Sequence, residues 1–398
     1  MTAKLQIETF PNEAAAEYIR GKAVADPKNF GALPNQLKQR AFTVAGIEQM
    51  DAVKRIRDAV AKLPEGANWD EAKKEIAGLI SPFVGGDDNS KRTTASKARA
   101  EFILRTQGFQ AYAVSRHQQQ MSTVGSHPYW MYETVGDNRV RAAHAALDGK
   151  VLRADDPWWK THYPPWDWGC RCVVIALDEE DAQEFGISKS GDMPWPEHSD
   201  SYSFDASDAG ISLDMLTQGR DDADLRLLFN GARNATVQRD DGTNETMWDY
   251  MLDRHMETKA ERLTAQTERD GKERALVLDY LTGKPIGEVA VGDEGNVGMD
   301  ADARDKTIAT LHTHPGGDTT PSPADMLSGF STKSKAEYIA AGKKLRRWQW
   351  LKTPEPEDAR LIRKFDADNR NGGVDIKAYK NLLVRLVSQG YIKMEVMS

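Results

Sequence analysis

Apolar residues repeat at helical spacing over much of the first part of the chain. One stripe runs through residues 46–63 at steps of three and four, which predicts an amphipathic helix. Its members are Ile47, Met50, Val53, Ile56 and Val60. Residues 68–80 and 94–121 are also predicted to be helices, and Asn12 is a residue type suited to cap a first helix at 12–19. The pattern predicts a largely helical amino-terminal domain.

The pattern changes between residues 128 and 177, where tryptophan and proline cluster. The cluster contains Trp158, Trp159, Trp166, Trp168, Pro157, Pro164 and Pro165. Proline lacks an amide donor and favours extended backbone in the residue before it, so this stretch cannot be one helix. We expect a small irregular β unit with short strands, including an apolar strand at 172–177.

Further changes in composition divide the rest of the chain. Residues 186–221 are rich in Ser, Asp, Gly and Pro without apolar periodicity, which predicts a linker. Residues 222–266 are predicted to be a helical connector. Residues 273–314 have the pattern of a series of strands. Residues 322–398 are expected to be mostly helical. A chain of 398 residues has room for two or three domains.

Composition excludes several classes of protein. Two cysteines rule out a disulfide scaffold and fit a reducing cytoplasm. No apolar run approaches the roughly 18 residues of a membrane span, and the first twenty residues lack the features of a secretion signal. We therefore expect no membrane insertion and no Sec secretion. A net charge of −8 argues against a surface coated with nucleic acid.

The most specific pattern in the chain lies between residues 308 and 325. Apolar residues at 308–311 predict a strand, and residues two apart on a strand share a face, so His312 and His314 can hold one metal ion together. Ser322 and Pro323 suit a helix start, with Asp325 in its first turn. Two imidazoles, one carboxylate and a position open for water form a catalytic type of zinc site. An alternative interpretation is that residues 312–315, HTHP, form a turn and that Ser322 and Asp325 only cap a helix.

These residues match the JAMM pattern, His-x-His followed by Ser-x-x-Asp, so this part of the chain resembles the JAB/MPN metalloprotease family. The segment HTHPGGDTTPSPAD at 312–325 is most similar to the bacterial RadC-like branch. The resemblance implies an α/β, deaminase-like domain, which we place at 267–350, with a helical extension at 351–398. It implies a Zn²⁺ ion held by His312, His314 and Asp325.

The resemblance also implies an upstream glutamate that acts as general base. We assign this role to Glu273, which precedes a predicted strand and turn; Glu288 and Glu268 are the alternatives. Zinc lowers the pKa of its water toward about 7, the carboxylate takes the proton, and hydroxide attacks a carbonyl. Ser322 is expected to donate a hydrogen bond to the developing oxyanion. These expectations describe a zinc-dependent peptidase or isopeptidase.

A second group of motifs lies at residues 136–149 and 163–172. They read GDNRVRAAHAALDG and YPPWDWGCRC. In combination they resemble the Mu F-like (SPP1 gp7-type) head morphogenesis family of tailed bacteriophages. The resemblance extends upstream to AEFILRT at 100–106 and AFTVAG at 41–46, and it covers about residues 1–185. It implies a minor head protein that docks on the portal and procapsid.

The second group of motifs contains both cysteines of the chain. His144, Cys170 and Cys172, with Asp137 or His162, include enough soft and borderline ligands for a structural zinc ion. The alternative is that the cysteines are buried reduced thiols and that His144 is a hydrogen-bonded helix residue. Both interpretations remain open from the sequence.

A basic segment at Lys343–Lys352 interleaves five basic residues with two tryptophans. Such a segment suits contact with packaged DNA or with an acidic surface. In an acidic chain, a solvated helix or strand face is the competing interpretation.

Together these patterns predict a multidomain α+β protein with two activities. The amino-terminal part is expected to act in capsid assembly with portal, capsid and scaffold proteins, inside the virion head and in the host cytoplasm. The carboxyl-terminal part is expected to hydrolyse a protein substrate, with an isopeptide bond as one possible target. The alternative is a purely structural virion protein whose JAMM-like domain is inactive or contacts nucleic acid.

Overall fold

The computed structural model describes residues 12–85, 89–197, 202, 204–208, 213–293, 297–298, 306–332 and 334–397. The helices are α1 Glu13–Arg20, α2 Pro27–Ala32, α3 Asn35–Lys38, α4 Met50–Ala61, α5 Trp69–Ile80, α6 Asn89–Ser122, α7 Ala142–Ala145, α8 Trp159–His162, α9 Glu179–Phe185, α10 Leu213–Thr217, α11 Asp222–Asn234, α12 Met247–Asp270, α13 Pro323–Thr332, α14 Pro356–Arg370 and α15 Ile376–Ser388. The strands are β1 Ala23–Val24, β2 Ala41–Phe42, β3 Tyr129–Glu133, β4 Val151–Arg153, β5 Val173–Leu177, β6 Thr236–Gln238, β7 Asn244–Thr246, β8 Arg274–Asp279, β9 Ala290–Val291, β10 Ile308–Thr313, β11 Ala336–Ala341, β12 Lys344–Trp350 and β13 Ile392–Val396.

The chain divides into two compact units of mixed α+β structure. Met1–Ile211 and Gly231–Tyr250 form the N-terminal unit, and Ser212–Asn230 with Met251–Ser398 form the C-terminal unit. Among the helices of the described residues, none is long and apolar enough to cross a bilayer.

The N-terminal unit is built on the helices α1, α4, α5 and α6. The predicted apolar stripe lies in α4 and the turn before it, and it packs into a shared core with Ile19, Ile76 and Leu104. The predicted N-cap at Asn12 is confirmed, because its side chain accepts a hydrogen bond from the amide of Ala15. The helical prediction for this part of the chain is confirmed, with α4 beginning at Met50.

A four-stranded sheet, in the order β2-β1-β6-β7, belongs to the same unit. The helical connector predicted at 222–266 contains α11 and most of α12, but the hairpin β6–β7, which was not predicted, lies between them. The turn depends on Gly242, whose φ of 87° is favourable only for glycine. Asp241-Gly242 is a dipeptide typical of hairpin turns, and the prediction from helical periodicity did not take it into account.

The Trp-Pro stretch forms the predicted small β unit, a three-stranded antiparallel sheet in the order β4-β3-β5. Trp158, Trp159 and Trp166 are buried in its core, whereas Trp168 is 39% exposed. The predicted linker at 186–221 is not a free spacer where it is described. Its residues Met193, Tyr202 and Ala206 are buried, and Met193 and Ala206 belong to the same core. Residues 198–201, 203 and 209–212 of that linker lie outside the described residues.

The C-terminal unit contains a six-stranded sheet in the order β13-β12-β11-β10-β8-β9. β10 and β11 are parallel, and the other neighbouring pairs are antiparallel. Met326, Ile362 and Leu383 of α13, α14 and α15 pack on one face of the sheet with Ile339 and Trp348. α12 contacts the opposite face, where its Thr267 hydroxyl lies 2.7 Å from that of Thr313.

Two predictions for the carboxyl-terminal region need correction. Residues 336–350 form the strands β11 and β12, although 322–398 was expected to be mostly helical. The expected helical extension at 351–398 contains α14 and α15, but it ends in β13, which pairs with β12. This segment therefore supplies the edge strand of the sheet as well as two helices that pack on it.

Candidate metal centre

Strand β10 and helix α13 bring together His312, His314 and Asp325. His312 lies on β10 and His314 follows it by two residues, so both rings are on the same face of the sheet. Asp325 lies in the first turn of α13. His312 Nε2 is 3.1 Å from His314 Nε2 and 3.2 Å from Asp325 Oδ1, and His314 Nε2 is 3.5 Å from Asp325 Oδ2. The three predicted ligands thus converge.

These distances suit a zinc ion. Tetrahedral zinc with bonds of about 2.0–2.1 Å to nitrogen and oxygen holds such donors roughly 3.3–3.4 Å apart. His314 Nδ1 lies 3.0 Å from the carbonyl oxygen of Asp318, which orients the ring and leaves Nε2 toward the cluster. A metal-binding histidine usually makes this kind of second hydrogen bond. The donor set and its support therefore fit the ion that the sequence predicts.

Ser322 and Asp325 also cap α13. The amide of Asp325 donates to Ser322 Oγ at 3.2 Å, and the amide of Ser322 donates to Asp325 Oδ2 at 2.7 Å. This is the reciprocal arrangement of a capping box. The cap and the metal-ligand interpretations, which looked like alternatives in the sequence, are compatible, because the cap aims the carboxylate at the two histidines.

The electrostatics couple the three groups. Burial opposes ionisation of Asp325, but His312 and His314 outweigh it and hold the pKa of this carboxyl well below its ordinary value. Burial likewise opposes protonation of His314, but the hydrogen bond and charge of Asp325 outweigh it and raise the pKa of the ring. The two histidines therefore favour the ionised form of the Asp325 carboxyl.

Of the three glutamates proposed as general base, Glu273 is the one whose charge interacts with His312, His314 and Asp325. It immediately precedes β8, and the β8–β10 register, extended by two residues, places it across from His314. Burial raises the pKa of the Glu273 carboxyl, and the two histidines partly offset this effect. Glu288 instead lines a pocket with Leu276 and Leu278, whose side chains are on the opposite face of the sheet. Glu268 is exposed on α12, on that same opposite face.

A buried carboxyl that sequence analysis missed lies beside the site. Glu337 on β11 is paired with Thr310 of β10, and burial, with the charge of Asp325, raises its pKa well above the ordinary value. Burial thus favours the neutral form of this acid, which packs against Gly329 of α13. No local motif marks it, because its position follows from strand pairing.

The second group of predicted ligands also comes together. The side chains of His144, Cys170 and Cys172 are buried, and both sulfurs lie 3.6 Å from His144 Nδ1. The proposed fourth ligands are engaged elsewhere: Asp137 pairs with Arg171 at 2.6 Å, and His162 stacks on Trp158. The pKa of the Cys172 thiol is lowered to about 5. The largest cause is a hydrogen bond from Cys170, and His144 and Tyr132 add to it.

The basic segment Lys343–Lys352 does not form a single cationic face. Arg347 pairs with the buried carboxylate of Asp253 at 3.1 Å. Trp348 is buried in the core, and Trp350 donates from Nε1 to the carbonyl oxygen of Met326. The alternation of β12 thus separates the charges that looked contiguous in the sequence.

One comparison with known proteins matches a part of the N-terminal unit. The family described as "Phage Mu protein F like protein" matches residues 46–175. The chain is 40% identical over 167 residues to the "Mu-like prophage FluMu F protein" of Haemophilus influenzae, a match that covers 40% of each chain. It is 34% identical over 190 residues to the "Putative capsid assembly protein F" of Escherichia phage Mu, which covers 45% of this chain and 43% of that one.

The matched part spans about two fifths of the length of these relatives. No solved structure matches the chain significantly. Residues 46–175, which include His144, Cys170 and Cys172, are thus similar in sequence to the phage Mu F-like proteins.

Proposed function

We propose that the chain is a minor head protein of a phage or prophage that acts in capsid assembly, and that its C-terminal unit is a JAMM-type zinc peptidase or isopeptidase. The assembly role is supported by the similarity of residues 46–175 to the phage Mu F-like proteins, one of which is named a capsid assembly protein. The proposed partners in this role are portal, capsid and scaffold proteins, and the proposed locations are the virion head and the host cytoplasm.

The hydrolase role is supported by one observation: His312, His314 and Asp325 converge beside Glu273. His312, His314 and Asp325 would hold the zinc ion, and Glu273 would act on the water. Zinc in such a site supplies a Lewis acid and lowers the pKa of a coordinated water toward about 7. A sheet with helices on both faces, one of which carries Asp325, agrees with a JAMM-like α/β fold.

Other residues of the site would transfer the proton, stabilise the oxyanion and position the ligands. The Glu273 carboxylate takes a proton from the attacking water and returns it to the leaving amine. Ser322 at the start of α13 donates a hydrogen bond to the oxyanion that develops on the substrate carbonyl. The capping pair and the contact of His314 with the Asp318 carbonyl hold the ligand side chains in place before substrate arrives.

Metal content and turnover test the hydrolase role together. Zinc would be measured by elemental analysis, and hydrolysis with a library of quenched fluorescent peptides and with lysine isopeptide substrates. We expect His312→Ala to lose about one zinc per chain and all turnover, and Glu273→Gln to keep zinc but lose turnover. Glu288→Gln is the matched control and should behave as the parent chain. Equal zinc in the parent and His312→Ala would refute the site.

The assembly role has a separate test. A phage or prophage that lacks the gene should fail to form normal heads, and purified particles of the parent should contain the chain together with portal protein. Normal heads without the chain, and its absence from particles, would remove this role.

A further inference from the structure

The His144, Cys170 and Cys172 cluster has the dimensions of a metal site. Tetrahedral zinc with bonds of about 2.3 Å to sulfur and 2.0–2.1 Å to nitrogen places sulfur and nitrogen roughly 3.6 Å apart. Both Sγ–Nδ1 distances are 3.6 Å. Two thiolates and one imidazole are ligands that zinc prefers.

Tyr132 of β3 supplies a fourth donor. Its hydroxyl oxygen lies 3.3 Å from His144 Nδ1, and zinc with oxygen and nitrogen ligands requires about 3.3–3.4 Å. The Trp166 indole donates to the same oxygen at 2.8 Å, and its ring stacks on the His144 imidazole at 3.9 Å. All four donor side chains are buried, with at most 9% exposed. Tyr132 therefore stands where Asp137 or His162 was expected.

We propose that the N-terminal unit binds one structural zinc ion through Cys170 Sγ, Cys172 Sγ and His144 Nδ1, with the Tyr132 hydroxyl at the fourth position. This site is independent of the proposed hydrolase centre. It joins α7, the loop that leads into β5, and β3.

Binding of a zinc ion at His144 would change the contact that Arg141 makes with this ring. Its Nη2 lies 2.8 Å from His144 Nε2, and because a guanidinium only donates, Nε2 accepts here and the ring proton is on Nδ1. A zinc ion on Nδ1 displaces this proton and leaves Nε2 as the protonated nitrogen. Arg141 then gives up the contact and keeps Asp167, at 3.1 Å, and the Trp168 carbonyl, at 3.0 Å. Arg141→Ala should therefore bind the metal at least as tightly as the parent chain.

Cobalt substitution of the full chain separates this site from the other one. Thiolate ligands give Co²⁺ an intense near-ultraviolet charge-transfer band, whereas a site of two histidines and one aspartate contains no sulfur. We expect the band in the parent chain and in His312→Ala, which should also retain roughly one zinc per chain. Cys170→Ser and Cys172→Ser each leave one thiolate, so the band should weaken or be lost, and His127→Ala is the matched histidine control. Tyr132→Phe should keep the band but release the metal at lower chelator concentration.

Two outcomes would overturn the proposal. The first is His312→Ala that folds as the parent chain does, has two titratable thiols, and binds neither zinc nor Co²⁺ with a thiolate band. The second is a purified chain whose two cysteines are joined in a disulfide. Both are measured on chains with an unaltered cysteine cluster, so a folding defect of the serine variants does not decide the matter.

Discussion

At the scale of single residues, a buried lysine gives the N-terminal unit its own pH dependence. Lys22 is 2% exposed, and its Nζ contacts the amide oxygens of Gln107 at 2.7 Å and Gln110 at 3.4 Å. Burial lowers the pKa of Lys22 from 10.5 to about 7. Between these values the unfolded chain binds a proton that the folded chain does not, so stability rises with pH across this window.

We predict that Lys22→Met removes this contribution. The parent chain should gain stability relative to the variant as pH rises from 7 toward 10, with a slope of at most about 1.4 kcal/mol per pH unit. Urea unfolding of both proteins at several pH values in this window measures the difference. Parallel curves would mean that Lys22 stays charged when the chain is folded.

Gly329 of α13 is a second position where one residue decides the packing. A Cβ at this position would collide with the carboxyl of Glu337 and come within 2.8 Å of the Trp348 ring. We predict that Gly329→Ala destabilises the C-terminal unit by about 1–3 kcal/mol and weakens zinc binding, because α13 carries Asp325. Thermal unfolding and zinc titration measure the two effects.

Gly78 of α5 is the matched control for this substitution. A Cβ there meets nothing within 4 Å, so Gly78→Ala should stabilise the chain by about 0.5–1 kcal/mol through helix propensity. Destabilisation at Gly78, or none at Gly329, would contradict the packing argument.

At the scale of elements, a buried ion pair ties β12 to α12. Arg347 pairs with Asp253, which also accepts a hydrogen bond from the Tyr338 hydroxyl, and the Asp253 side chain is 3% exposed. Removing one partner of a buried pair leaves an uncompensated charge. We predict that Arg347→Met costs about 3–5 kcal/mol in the free energy of unfolding.

Lys364→Met is the control for the ion pair. Lys364 pairs with Asp368 along the surface of α14, and its side chain is 70% exposed, so the substitution should change little. Chemical denaturation of both variants gives the comparison. A similar loss in the free energy of unfolding in both variants would show that the pairing of Arg347 with Asp253 is unimportant.

The elements also show how far the sequence predicts the fold. Helix α4 was predicted because its stripe is local and its period is that of a helix. Residues 336–341, AEYIAA, contain good helix formers, yet they form β11 because they pair with β10 and β12. Strand pairing over long range overrides propensity, and no window within the chain contains that information.

The candidate sites follow the same rule. His312, His314 and Asp325 were identified because one strand and one capped helix carry all three within fourteen positions of sequence. Tyr132 was missed because it reaches His144 only through the fold of the small β unit, and Glu337 because strand register places it. Motifs predict ligands on one local segment, whereas tertiary packing supplies the remaining partners.

At the scale of the whole molecule, the two proposed activities rest on different compact units. The similarity to phage Mu F-like proteins covers residues 46–175 of the N-terminal unit, whereas Glu273 and the His312 site belong to the C-terminal unit. Loss of a general base changes neither the ligands nor the fold, since glutamine is isosteric with glutamate. A variant without hydrolysis should therefore retain the assembly role.

We predict that a phage carrying Glu273→Gln builds heads in parental number and packages the variant chain at the parental level, while the purified variant has no turnover. Electron microscopy of lysates, quantitation of the chain in purified particles and plating on the host measure the three steps of assembly, incorporation and infection. Glu288→Gln should match the parent in all of them. Fewer heads with Glu273→Gln alone would place the hydrolysis inside assembly, whereas normal heads with reduced plating would place it after the DNA has entered the host.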